Sequence, residues 1–167
     1  MKDHLGLMVK GLLKPEEMLP MDLVSFWLDD YCYALELQGV RQSFRAVAPH
    51  PLPEGPSSIT GIVNVHGQAI PVVNLRSKLN LPPRNLAPED SLIWVEAASQ
   101  DLLLAVDRMG EVLQVPDEQI VDVAQMPDDV ELFKGIVSLE EGILFIPDLG
   151  RLLDIREREI LQHAMGS

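Results

Sequence analysis

Four histidines, one cysteine and adjacent carboxylates are the groups best suited to acid–base, nucleophilic or metal chemistry: His4, His50, His66 and His163, Cys32, and pairs such as Asp29 with Asp30, Asp128 with Asp129 and Glu140 with Glu141. Nucleophilic catalysis needs a Ser, Cys or Thr beside a base that a third group orients. The HExxH, CxxC and GxSxG patterns are all missing. Adjacent carboxylates face opposite sides of a strand, or water at a turn tip, so acid–base work is the weaker reading of the pairs. The glycines are mostly isolated turn residues, not a phosphate cradle. Cys32, the sole cysteine, can form neither an intramolecular disulfide nor a thiolate cage, and in its apolar stretch it reads as a small core residue. No enzymatic activity, metal or cofactor is expected. His66, beside Gly67, reads either as a half-exposed turn histidine or as a recognition residue at a rim.

Bulk properties bound the rest. The 167 residues fit one domain, or two small ones sharing a core, and 47% hydrophobic residues suffice for a packed interior. A formal charge of −13 repels phosphate backbones and argues against nucleic-acid binding. It suits a basic or apolar protein partner, whose contact should weaken as salt screens it. Aromatic content of 5% argues against a stacking platform. No run approaches the roughly 18–20 apolar residues that cross a bilayer. The apolar start, Leu5 to Leu13, is interrupted by Lys10 and precedes no cleavage site, so it does not read as a secretory signal. A cytoplasmic protein is expected.

The elements that must position any site show a duplication. Gly61, Ile62 and Val63 recur 74 positions later as Gly135, Ile136 and Val137, and the same offset aligns Ile70 with Leu144, Val72 with Ile146 and Asn74 with Asp148. Each copy reads as a hairpin followed by a short helix, which Asn74 would cap in the first. Two copies are too few for an open solenoid and point to two small sheets or barrels. Strands are expected near residues 24–28 and 31–37, with Asp29 and Asp30 at the tip. Further strands are expected near 59–65, 69–73, 92–96, 102–106, 111–115, 133–139 and 143–146. Residues 40–47 read as an irregular strand or a helical turn. The turn at Met109 and Gly110 would keep 111–115 antiparallel beside 102–106. The acidic stretch 117–131 reads as a loop, and a terminal helix follows Asp148, with a break near Asp154. Strand after short strand makes the class all-β with short helices.

These residues resemble the CheW-like adaptor domains of bacterial chemoreceptor arrays. The likeness starts at Phe26, Tyr31, Ala34 and Leu35 and runs through Val40 and Pro51, Pro53 and Pro56. Gly61 to Gly67 resembles the family's G-V-x-N-L-R-G, and Ile70 to Arg76 its I-x-P-[IV]-x-D-L-R. Val106, Asp107, Val112 and Leu113 resemble V-D-x-V-x-x-V-L, and Gly135 to Leu153 the closing strand pair and helix. About 130 of the 167 residues are covered. The resemblance implies two five-stranded SH3-like β-barrels related by a pseudo-two-fold, with an apolar groove between them and a C-terminal helix. It implies an N-terminal extension over 1–22, a domain over 23–155 and a helical tail over 156–167.

It further implies a non-catalytic scaffold that binds the regulatory domain of a CheA-type histidine kinase and the cytoplasmic tip of a chemoreceptor, with ring or dimer contacts between similar domains. Matching partner-binding positions are Val40, Gln42, Ser43, Ile62, Asn64, His66 and Gly67. The family often has Glu at the position of Gln42 and usually Arg at that of His66, so a carboxylate–guanidinium pair has become an amide and an imidazole. A divergent module in surface motility or second-messenger control, and a domain binding a small ligand between its barrels, are the alternatives.

Overall fold

The computed structural model describes residues 21–122 and 132–166. The extension up to residue 20, with His4, and the stretch 123–131, with the Asp128 and Asp129 pair, lie outside them. Eleven strands are present among the described residues. The first five are β1 (Met21–Leu28), β2 (Tyr31–Glu36), β3 (Val40–Arg45), β4 (Ile59–Val65) and β5 (Gln68–Val73). The others are β6 (Ser91–Ala97), β7 (Gln100–Val106), β8 (Arg108–Val115), β9 (Ile120–Asp122), β10 (Phe133–Leu139) and β11 (Gly142–Pro147). Helix α1 (Leu75–Lys78) follows β5, and α2 (Ile155–Ala164) closes the chain. Residues 40–45, ambiguous in sequence, form a strand.

Both repeats fold, in the same register. In β4 and β5, Ile62 pairs with Pro71 and Val63 with Ile70; in β10 and β11, Ile136 pairs with Phe145 and Val137 with Leu144. Each first strand carries its irregularity at the equivalent place, between Ile59 and Gly61 and between Phe133 and Gly135. The period of two sends Val63, Val65, Ile70 and Val72 into one core cluster, and Val137, Leu144 and Ile146 into another. Asn74 caps α1 by accepting the Ser77 N–H at 3.3 Å, and Asp148 accepts the Gly150 N–H at 3.0 Å at the 3-10 turn Leu149–Arg151.

The strands make two sheets, ordered β3-β6-β7-β5-β4 and β8-β1-β2-β11-β10-β9. The first has the expected five strands, and the second adds the three-residue β9. In each, an antiparallel hairpin joins the repeat hairpin through a parallel pair, β7 with β5 or β2 with β11. By contacts the chain divides into two compact units. One takes the chain up to Gln38 and Met109–Pro147; the other takes Gly39–Arg108 and the chain from Asp148.

One expected pairing does not occur. Residues 111–115 are not beside 102–106: β7 already has β6 and β5 on its two sides, and β8 lies beside β1 in the six-stranded sheet. Met109 and Gly110 are therefore strand residues, not a turn. A Cβ on Gly110 would overlap the Ser25 hydroxyl and lie 3.0 Å from the Ser25 carbonyl. That hydroxyl accepts the Glu111 N–H at 2.9 Å and reaches the Glu111 carbonyl at 3.2 Å.

Helix α2 begins at the expected break. Asp154 and Glu157 form a reciprocal capping box, the Asp154 carboxylate accepting the Glu157 N–H at 2.7 Å and Glu157 accepting the Asp154 N–H at 3.0 Å. The same Glu157 oxygen takes Lys78 Nζ at 2.5 Å, tying α2 to the end of α1. Burial alone would raise the Glu157 carboxyl, but the Asp154 N–H and the Lys78 ammonium outweigh it and hold it below its ordinary 4.5. The ionised form is thus favoured in the folded chain. Its contribution is present above pH 4.5 and fades as pH falls through the lower folded value. Glu157→Gln should cost about 1–2 kcal/mol at pH 7. Urea unfolding at pH 7 and at progressively lower pH checks this: the gap between wild type and variant should narrow as pH falls, and a constant gap would contradict the assignment.

Candidate functional site

Of the seven partner-binding positions expected from the resemblance, five fall on the two edge strands of the five-stranded sheet and two in the turn that follows one of them. Val40, Gln42 and Ser43 are on β3, Ile62 and Asn64 on β4, and His66 and Gly67 form the turn from β4 to β5. Three strands separate the edges in the hydrogen-bonded order. Among the described residues no hydrogen bond joins Gln42 to His66.

The register of β3 splits its three positions. Val40 stands opposite Val95, but Gln42 stands opposite Trp94, with the pairing shifted between them. Residues two apart on a regular strand share a face; here Arg41 is the extra residue of a bulge, so they do not. Ser43 stands opposite Ile93 and Phe44 opposite Leu92. Since Leu92, Trp94 and Phe44 belong to the cluster around Val63 and Val72, Gln42 lies on that side of the sheet. Val40 and Ser43 lie on the other, as do Ile62 and Asn64, which alternate with Val63 and Val65. Val40 and Ile62 are half-buried, Ser43 and Asn64 exposed. Between the edges that face is buried at Ile93, Val95, Leu104 and Val73, so each edge offers a narrow strip, a half-buried apolar residue beside an exposed polar one.

The turn at His66 and Gly67 has φ of 52° and 85°, both positive, between the paired Val65 and Gln68. This is the type I′ geometry whose twist suits a two-residue hairpin. Asn64 Oδ1 accepts the Gly67 N–H at 2.8 Å, and the His66 side chain is exposed at the tip. A β-branched residue resists positive φ, so His66→Val should cost about 1–2 kcal/mol. His66→Asn should be nearly neutral. Paired thermal melts measure the difference, and equal melting temperatures would contradict the turn assignment.

Beside the tip a line of polar contacts crosses the sheet. Arg41 Nη2 lies 3.2 Å from Glu96 Oε1 and Arg41 Nε 3.3 Å from Asp101 Oδ1, with the guanidinium 5.7 Å from the centre of the Trp94 ring. Gln68 Nε2 donates to Asp101 Oδ2 at 3.1 Å. None of these residues stood out in the sequence. The one signal available was an arginine among carboxylates spaced for two neighbouring strands.

A second charged cluster is built on residues the resemblance had marked. Arg76 is only 7% exposed and donates from Nη2 to both Asp107 oxygens, at 3.0 and 2.8 Å, and from Nη1 to the Pro82 carbonyl at 3.0 Å. Arg84 bridges Asp90 at 2.9 Å and Asp107 at 2.5 Å, and the other Asp90 oxygen accepts the Ala87 N–H at 2.8 Å. The hydrogen bonds to Asp90 and Asp107 hold the Arg84 guanidinium still more firmly protonated. These groups, with Thr60, Asn74 and Asn85, line a cavity of about 410 Å³. Two cations face two anions, so the cluster pins the loop before β6 and leaves no unmatched charge to draw in a ligand.

Cys32 is half-buried against the core of the other unit, as expected. Among the described residues no group of three His, Cys, Asp or Glu side chains could hold a metal, and no helix is long and apolar enough to cross a membrane.

Comparison with known proteins matches the fold. A family model, CheW-like domain, matches residues 22–157. The chain is 28% identical over 71 residues to the chemotaxis protein CheW of Treponema pallidum (strain Nichols), a stretch covering 42% of this chain and 42% of that protein. The match thus spans less than half of that relative. The crystal structure of the scaffolding protein TtCheW from Thermoanaerobacter tengcongensis has the same fold, with a TM-score of 0.75 and 27% identity over 83% of this chain and 95% of that one.

Proposed function

Because the chain belongs to the CheW-like domain family, we propose that it is a non-catalytic adaptor coupling a chemoreceptor to a CheA-type histidine kinase in a chemotaxis-like pathway. The observation that carries this is the family match over residues 22–157, joined to a scaffolding protein of the same fold at 27% identity. An adaptor between a receptor's cytoplasmic tip and a kinase works in the cytoplasm, through contacts alone, with no cofactor and no nucleic acid. Its partners are the kinase regulatory domain and the receptor tip, and contacts with similar domains would build rings or dimers. The adaptor domain is read over residues 23–155, although β1 already begins at Met21 and α2 carries the fold on to Ala164.

Partner recognition is assigned to Val40, Ser43, Ile62 and Asn64 on one face of the five-stranded sheet, with His66 and Gly67 at the tip. Gln42, on the other face of β3, contributes at the edge. Gln42 and His66, where the family usually has Glu and Arg, support one second reading, in which the same adaptor serves surface motility or second-messenger control.

Titration against a receptor tip and against each kinase regulatory domain of the same cell tests the proposal, with His66→Arg in parallel. Micromolar or tighter binding is expected. Failure to bind any of them would overturn the adaptor reading. Val40→Asp places a charge on apolar surface and should weaken receptor binding at least tenfold while the circular dichroism spectrum is kept. If it unfolds the chain instead, Val40 is a core residue and the recognition face is wrongly placed.

A further inference from the structure

We infer that Arg41 is a positioning residue for partner recognition, holding the bulge of β3 and, through Asp101 and Gln68, the His66 and Gly67 tip in one arrangement. This rests on the adaptor reading of the same surface.

The two groups of recognition residues sit on opposite edges of the sheet, and a side-chain route between them runs through Arg41. The contacts pass from β3 to Glu96 on β6, to Asp101 on β7 and to Gln68 on β5. Gln68 is the residue directly after the turn. Arg41 is also the extra residue that puts Val40 and Gln42 on opposite faces. Whatever holds its side chain therefore decides which β3 groups a partner meets.

Electrostatics explains why an arginine is needed. Glu96 and Asp101 are direct cross-strand partners, and like charges placed opposite each other destabilise a pair of strands. Arg41 lies close to both carboxylates at once, its planar fork placing Nη2 at 3.2 Å from Glu96 and Nε at 3.3 Å from Asp101, as charge contacts without an aligned hydrogen bond at Asp101 Oδ1. The Trp94 ring beneath limits where the fork can lie. Without the guanidinium the two carboxylates repel, Asp101 turns towards water and Gln68 loses its acceptor. The pairs are about half exposed at Arg41 and Glu96, and exposed ion pairs contribute little to global stability. The consequence is local order at the recognition surface, with the fold retained.

The full chain is compared with Arg41→Met, which keeps the aliphatic stem, and Arg41→Lys, which keeps the charge without the fork. Two readouts are taken: affinity for the receptor tip and kinase regulatory domain, and amide hydrogen exchange of the unbound protein. Arg41→Met should lose about tenfold in affinity with a nearly unchanged melting temperature, and Arg41→Lys should recover part of the loss. Exchange in Arg41→Met should speed up several-fold across β3 and also at Gly67 and Gln68, on the far side of the sheet. A residue that only touched the partner would leave exchange in the free protein unchanged.

Equal affinity of wild type and Arg41→Met, or unchanged exchange at Gly67 and Gln68, overturns the inference. If the wild type binds neither partner, the adaptor reading fails, and positioning for recognition falls with it. The exchange result then still reports whether Arg41 orders the tip.

Discussion

Arg76→Met should destabilise the chain by about 3 kcal/mol, at the lower end of what breaking a buried ion pair costs. Arg76 is 7% exposed and gives Asp107 a two-bonded partner while satisfying the Pro82 carbonyl. Methionine fills similar volume, so the loss is electrostatic. Asp107 keeps Arg84 as a cation, but Arg84 is shared with Asp90 and sits nearer the surface, which is why the figure stays near the lower bound. Denaturant unfolding at pH 7 measures it. A loss below 1 kcal/mol would mean the network is surface decoration. Combined with Asp107→Asn, the second substitution should add much less than its separate cost, because both act on one interaction.

Gly61→Ala is the second large effect, about 3 kcal/mol, because the obstruction is backbone. A Cβ there would overlap the His50 carbonyl oxygen and lie 2.8 Å from Pro49 Cβ. His50 cannot withdraw cheaply, since it exchanges hydrogen bonds with Ile62 at 2.8 and 2.7 Å. Opening that bridge forfeits two bonds of about 1 kcal/mol each. The duplication supplies an internal control. At Gly135 the nearest atom to an added Cβ is the Ile120 Cγ2 methyl at 2.7 Å, with the Val121 carbonyl at 3.3 Å. A side-chain methyl can swing aside, so Gly135→Ala should cost about 1 kcal/mol. Equal losses at the two glycines would contradict the backbone explanation.

The comparison of these glycines shows why the repeat was so readable. Val121 stands beside Ile136 as His50 stands beside Ile62, so in both units a third segment crosses the repeat hairpin where glycine begins it. The glycine recorded in the sequence the passage of a chain segment whose identity it could not reveal. Gly110 carried the same kind of signal and was misread as a turn, because a glycine near a hairpin and a glycine under a crossing strand look alike in one dimension. The proposed recognition surface is only partly legible in the sequence. Its residues were found by resemblance, while the bulge at Arg41 has no periodic signature, and it divided Val40 from Gln42.

The local physics was written in the chain. The period of two set the inward faces of both repeat hairpins, and Asn74 and Asp154 marked where helical turns start. Each of these depends on residues within a few positions of one another. Only the tertiary structure decided that β5 runs parallel to β7, that β8 leaves its sequence neighbour for β1, and that Arg76 meets Asp107 and Arg41 meets Asp101. Those choices turn on which distant segments meet when the chain closes on itself. That closure depends on the packing of whole sheets, which leaves no repeating pattern in the order of the residues.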